Sequence, residues 1–92
     1  MPKDLVYITV IGKDQKGIIA RISNAVFMHN INIEDLNQKV MEGYFVMTML
    51  ADMSDSSATI KELKKDFAEI EKEMALKIQI QHENIFRTMH RV

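Results

Sequence analysis

The chain has 92 residues, 47% apolar and 27% charged, with a formal net charge of −1 and no cysteine. That makes one small domain, which at this size buries only roughly two-thirds of its extended surface and gains from a second chain. The composition excludes disulfides, thiol catalysis and cysteine-zinc sites, gives no electrostatic reason to bind nucleic acid, and offers no run of about 18 apolar residues to span a membrane.

The opening Met1-Pro2-Lys3-Asp4 lacks a signal-peptide pattern, so a cytoplasmic protein is expected. Leu5 to Ile11 reads as a strand. Val6, Ile8 and Val10 form one face, and Leu5, Tyr7, Thr9 and Ile11 the other. Both faces are mostly apolar, which suits a central strand. The loop Gly12-Lys13-Asp14-Gln15-Lys16-Gly17 follows, then a helix over 17–29. Its stripe is Ile18, Ile22, Ala25, Val26 and His29, with Asn30 as a left-handed cap. His29 ends the stripe and is expected to pack or cap rather than bind a ligand. A strand that turns through two glycines into a helix N-terminus gathers free backbone N–H groups at one point. A small ligand is expected there.

Ile31 to Val40 reads as the second strand, with a change of parity at Glu34-Asp35 that predicts a bulge. It is the most polar strand and belongs at an edge. Met41-Glu42-Gly43 is a tight connection, and Tyr44 to Ala51 completes a hairpin that is again apolar on both faces. Thr59-x-x-Glu62 fits a capping box for a helix whose stripe is Ile60, Leu63, Phe67, Ile70 and Met74. Leu76 to His82 alternates cleanly, as the other edge should. The tail, 84–92, carries Ile85, Phe86 and Met89 and is expected to pack on the sheet or on a partner subunit. Eight methionines are expected to fill irregular parts of the core.

The order β-α-β-β-α-β, with strands one and three apolar on both faces, predicts a single α+β domain over 1–92. It is a ferredoxin-like sandwich with antiparallel sheet order 4-1-3-2 and both helices on one face. The opposite face, over the middle strands, is apolar and open. Such a face requires cover, so a homo-oligomer, most simply a homodimer, is expected.

Several functions share this architecture. A metal-carrying module needs C-x-x-C, which is absent. An acylphosphatase needs an arginine in the first loop, whereas Arg21 lies a turn into the helix. An RNA-recognition motif needs aromatics alternating on one face, whereas Tyr44 and Phe45 are adjacent and diverge.

Asp14-Gln15-Lys16-Gly17-Ile18-Ile19 in the first loop and Asn32-Ile33 opening strand two resemble the landmarks of the ACT domain. The resemblance covers residues 5 to about 83 and is greatest for the small stand-alone ACT proteins, similar to the glycine cleavage system repressor and to the N-terminal part of formyltetrahydrofolate deformylases. It implies a regulatory module that binds an amino acid at Asp14, Gly17, Ile18 and Ile19, with Asn32 and Ile33 contributed at a subunit interface. Lys16 stands where the family often has proline, which leaves the loop less rigid. The carboxylate of such a ligand suits the helix amides, and Asp14 could accept from its ammonium. Asp14 has an equally ordinary role in ordering the loop or capping the helix, and Asn32 in closing the turn.

Nothing has catalytic spacing. His29, His82 and His90 are dispersed, and Glu34 and Asp35 diverge as strand neighbours. No enzyme activity, metal or cofactor is expected. Two readings stay open: an amino-acid-binding regulatory module, or a ligand-free dimerisation domain that docks a partner protein.

Overall fold

The computed structural model describes residues 2–83, in which six elements follow in the expected order: β1 (Leu5–Lys13), α1 (Ile18–Met28), β2 (Asn32–Met41), β3 (Tyr44–Asp52), α2 (Ile60–Met74) and β4 (Leu76–His82). The expectation for residues 84–92 lies outside the described residues.

The sheet order is β2-β3-β1-β4, antiparallel throughout, with the two strands apolar on both faces at the centre. Val6, Ile8 and Val10 of β1 are fully buried, as are Met47, Met49 and Ala51 of β3. Ile18, Ile22 and Val26 of α1 and Leu63, Phe67 and Ile70 of α2 pack with them in one core. Side chains of alternating parity point to opposite faces, so each strand gives this core every second residue.

β1 runs two residues further than expected, so Gly12 is a strand residue rather than part of the loop. It pairs with Phe45 on one side and Leu76 on the other. A Cβ at Gly12 would stand 2.5 Å from Leu76 Cδ2. A larger residue at Gly12 would have to push the Leu76 side chain aside.

The predicted bulge is present: the β2–β3 register slips between Ile33 and Asp35, leaving Glu34 as the extra residue. The slip returns Ile33 and Leu36 to the same face, opposite Ala51 and Met49. The hairpin turn is the pair Glu42 (φ 51°) and Gly43 (φ 83°). Two left-handed residues in succession match the twist of the flanking strands.

Asn30 (φ 57°) terminates α1 as expected, and its N–H donates to the Phe27 carbonyl at 2.9 Å. α2 begins with the predicted capping box, in which Thr59 Oγ1 accepts from the Glu62 N–H at 3.1 Å and Glu62 Oε1 accepts from the Thr59 N–H at 3.2 Å. It ends on Ala75 in the left-handed conformation (φ 54°, ψ 46°). Sequence reasoning does not anticipate that cap, because alanine carries no left-handed signal.

Candidate functional site

The first loop is short, and two backbone bonds fix its ends. Asp14 N–H donates to the Gly43 carbonyl at 2.9 Å, tying the loop to the β2–β3 hairpin. Gly17 (φ 88°, ψ 5°) is the N-cap of α1, and its carbonyl accepts from the Arg21 N–H at 2.9 Å. Among the described residues no side chain caps this helix, and its first turn holds no acid. The capping role open to Asp14 is therefore not the one it plays. The opening amides of α1 remain available to an anion, with the helix dipole behind them. Among the described residues no atom outside the chain neighbours lies within 4 Å of the place where a Gly17 Cβ would stand.

The helix layer leaves the outer part of β2 uncovered. Gln38 and Val40 point to the helix-covered side, opposite Met47 and Phe45, yet both are exposed. The result is a depression of about 360 Å3 lined by Asp14, Gln15, Gly17, Ile18, Ile19, Ala20, Gln38 and Phe45. Phe45, 4% exposed, forms an apolar floor. The volume lies near the lower end for small-molecule sites, on the order of 300–1,000 Å3.

Four of the expected residues, Asp14, Gly17, Ile18 and Ile19, thus line one depression. Asn32 and Ile33 do not join them within the chain. Asn32 pairs with Asp52 at the far end of β3, whereas the loop abuts Tyr44 and Gly43 at the near end. The two ends are roughly 26 Å apart at about 3.3 Å per residue. Asn32 Nδ2 donates to Glu34 Oε2 at 2.7 Å, and the turn after α1 is closed by Asn30, whose Nδ2 donates to the Asp55 carbonyl at 3.0 Å.

Four lining residues, Gln15, Ala20, Gln38 and Phe45, were not among those expected. Gln38 has a signal in the chain: it is the one polar residue of Leu36, Gln38 and Val40, the set that shares the core-facing parity. Phe45 has none, since any apolar residue there would read as core.

A larger groove, about 480 Å3, runs between α2 and β4 past Phe67, Glu71 and Ile78. Its acid is already engaged, because Glu71 Oε2 accepts from the Ile78 N–H at 2.8 Å. His29 pairs with Asp66 and so joins α1 to α2, and His82 meets Asp4 Oδ1 at 2.6 Å. Among the described residues no three metal-ligating side chains gather.

The chain is a ferredoxin-like sandwich whose first loop opens an uncapped helix over a small depression. The ACT domain pattern matches residues 4–81, and the chain belongs to the ACT domain family. A UPF0237 protein of Clostridium perfringens is 46% identical over 85 residues, spanning 92% of this chain and 96% of the relative. The ACT domain protein from Streptococcus pneumoniae superposes with a TM-score of 0.80 at 33% identity, covering 92% of this chain and 96% of that one. A formyltetrahydrofolate deformylase from Pseudomonas syringae superposes with a TM-score of 0.81 at 19% identity, over 89% of this chain and 28% of that one. That last likeness is one of fold.

Proposed function

We propose that this chain is a non-catalytic regulatory module of the cytoplasm that binds a free amino acid at the first strand–helix loop, within an oligomer that is most simply a homodimer. The observation that carries this reading is the pairing of an uncapped α1 N-terminus with an acid, Asp14, across one small depression. The ligand carboxylate meets the first amides of α1, where dipole and unpaired donors act together. The ammonium meets Asp14. Gly17 keeps the approach to the backbone free of a Cβ. The ligand side chain lies over Phe45, with Gln38 as a hydrogen-bonding partner at the rim. Asn32 and Ile33 reach such a site only from a second chain.

Calorimetric titration with each of the common amino acids tests the reading, which requires a saturable response to some and not to others. Gly17→Val then places a β-branched side chain where the ligand approaches closest. Affinity is expected to fall tenfold or more, about 1.4 kcal/mol or above. Asp14→Asn preserves size and turn chemistry but removes the charge facing the ammonium, and should also weaken binding. Equal affinity in both variants, with unchanged circular dichroism, would move the site elsewhere.

The second reading, a ligand-free interaction domain, is favoured by the exposure of Ile11 (46%) and Tyr44 (60%) on the sheet face opposite the helices. It predicts oligomerisation or partner capture with no amino-acid response at all.

A further inference from the structure

The sheet face turned away from the helices has a charge pattern that selects one way of packing on itself. Registers across β2-β3-β1-β4 arrange it in rows. The middle row is Asn37–Thr48–Thr9–Gln79. On one side lies Lys39–Val46–Ile11–Lys77, and on the other Asp35–Leu50–Tyr7–Gln81. On the central strands Val46, Ile11, Leu50 and Tyr7 flank a pair of threonines, and within these three rows the charges, Lys39, Lys77 and Asp35, sit on the outer strands. Lys39 and Asp35 are both exposed, and among the described residues neither belongs to an ion pair.

Two aligned two-fold axes can bring this face against its own copy. An axis along the strands sets β2 over the partner's β4 and Lys39 over the partner's Lys77, a like-charge contact. An axis across the strands, along the middle row, reverses each strand over its own copy. Lys39 then lies over the partner's Asp35, and Asp35 over the partner's Lys39. Val46 meets the partner's Leu50, and Ile11 meets the partner's Tyr7. Each contact occurs twice, as an isologous interface requires. Aligned sheets cross at roughly 30°, which moves each charge pair by about one strand spacing, within reach of a lysine side chain.

We infer that two copies of this chain pack open face to open face about the axis across the strands, with Lys39 of each against Asp35 of the other. This rests on the dimer reading above and names its surface. The area suffices: four strands about 4.8 Å apart and nine residues of about 3.3 Å give roughly 550 Å2 per copy in projection. Both copies together bury about 1,100 Å2, above the ~1,000 Å2 expected of a specific interface.

The test is a charge swap on the full chain, read by sedimentation equilibrium. Lys39→Glu and Asp35→Lys each set like charges together and should each raise the dimer dissociation constant tenfold or more. The double variant K39E/D35K restores complementarity and should return it to within threefold of wild type. Thr48 lies on the axis, so Thr48→Cys in this cysteine-free chain should be linked to its copy by a short bismaleimide, while Lys64→Cys on α2 should not. A dimer indifferent to the single reversals would place the interface elsewhere and overturn the inference. So would a wild-type monomer at 100 µM, or a monomer that dimerises only after residues 84–92 are removed, which would make the tail the occupant. Amino-acid titration of the same variants reports on the loop separately, so loss of the dimer and loss of the ligand site are distinguishable.

Discussion

The side-chain amide of Gln15 donates to the backbone carbonyl of Met74 at 2.8 Å, joining the first loop to the end of α2. The same nitrogen reaches the Lys13 carbonyl at 3.3 Å. Carbonyls in the last turn of a helix lack intrahelical partners, and Gln15 satisfies one of them. With Asp14 N–H bound to Gly43, the loop is held from both sides. Gln15→Ala is expected to lower stability by about 1 kcal/mol in urea unfolding. On the proposed reading it also weakens amino-acid binding, since it loosens the loop that presents the α1 amides. Unchanged unfolding would mean that the Gly43 bond alone holds the loop.

The closeness of Gly12 to Leu76 makes a second prediction. A Cβ at Gly12 would stand 2.5 Å from Leu76 Cδ2 and 3.3 Å from the Ala75 carbonyl oxygen. Gly12→Ala should therefore destabilise by about 1–3 kcal/mol, as overpacking does. Leu76→Ala empties the contested space but opens a cavity, at about 2–5 kcal/mol. The double variant should lose less than the two single losses combined, because the second change relieves the first. Strict additivity in a denaturant cycle would show that the strand moves aside freely.

Ala75 holds a left-handed backbone at the C-cap of α2, with its N–H donating to the Glu71 carbonyl. An L-residue there suffers a clash between Cβ and carbonyl that glycine avoids. Ala75→Gly should raise stability by about 1 kcal/mol, or several degrees in Tm for a domain of this size. A lower Tm would indicate that the Ala75 methyl contributes packing worth more than the strain.

Asp52 Oδ1 accepts the backbone N–H groups of Asp4 and Ser54, each at 3.0 Å. These donors, that of Asp4 first, hold its carboxyl below the ordinary 3.8. A depressed folded value stabilises above the unfolded one and is lost as pH falls through the folded one. Asp52→Asn should therefore unfold more easily than wild type at pH 7, with the difference shrinking below about pH 3.8. Lys3 has the opposite sign. Its hydrogen bond with Glu34 raises it from 10.5, so its contribution is present at neutral pH and fades only above 10.5. Urea midpoints between pH 2 and 11 check both limbs. A constant gap between Asp52→Asn and wild type through the acid range would remove Asp52 from the account.

The topology is legible because burial is written in period two. Leu5 to Ile11 and Tyr44 to Ala51 are apolar at both parities, and they are the central strands. The bulge at Glu34 is legible because Ile33 and Leu36 need one face despite odd spacing. The site is legible only in part. Asp14 and Gly17 announce a loop, but the depression also depends on the first turn of α1 standing beside Gln38 without covering it, a tertiary fact absent from any local pattern. Gly12 reads as a turn glycine and is a strand glycine, because what it avoids is Leu76, far along the chain. The left-handed alanine is silent for a similar reason: its conformation comes from where β4 must begin.

Sheets also polymerise, and the carboxylate on Ile78 bears on that. An edge strand is a template on which further strands can add. At β4 one backbone donor is already taken by Glu71, so an incoming strand must first displace a charge. At β2 the bulge at Glu34 breaks the regular spacing that such a strand would follow. With both edges made poor templates in this way, the proposed packing through the broad face stops at two copies, since each has only one such face. Open-ended fibres need a free edge. Glu71→Ala provides one, and its solutions should develop light scattering that the wild type does not.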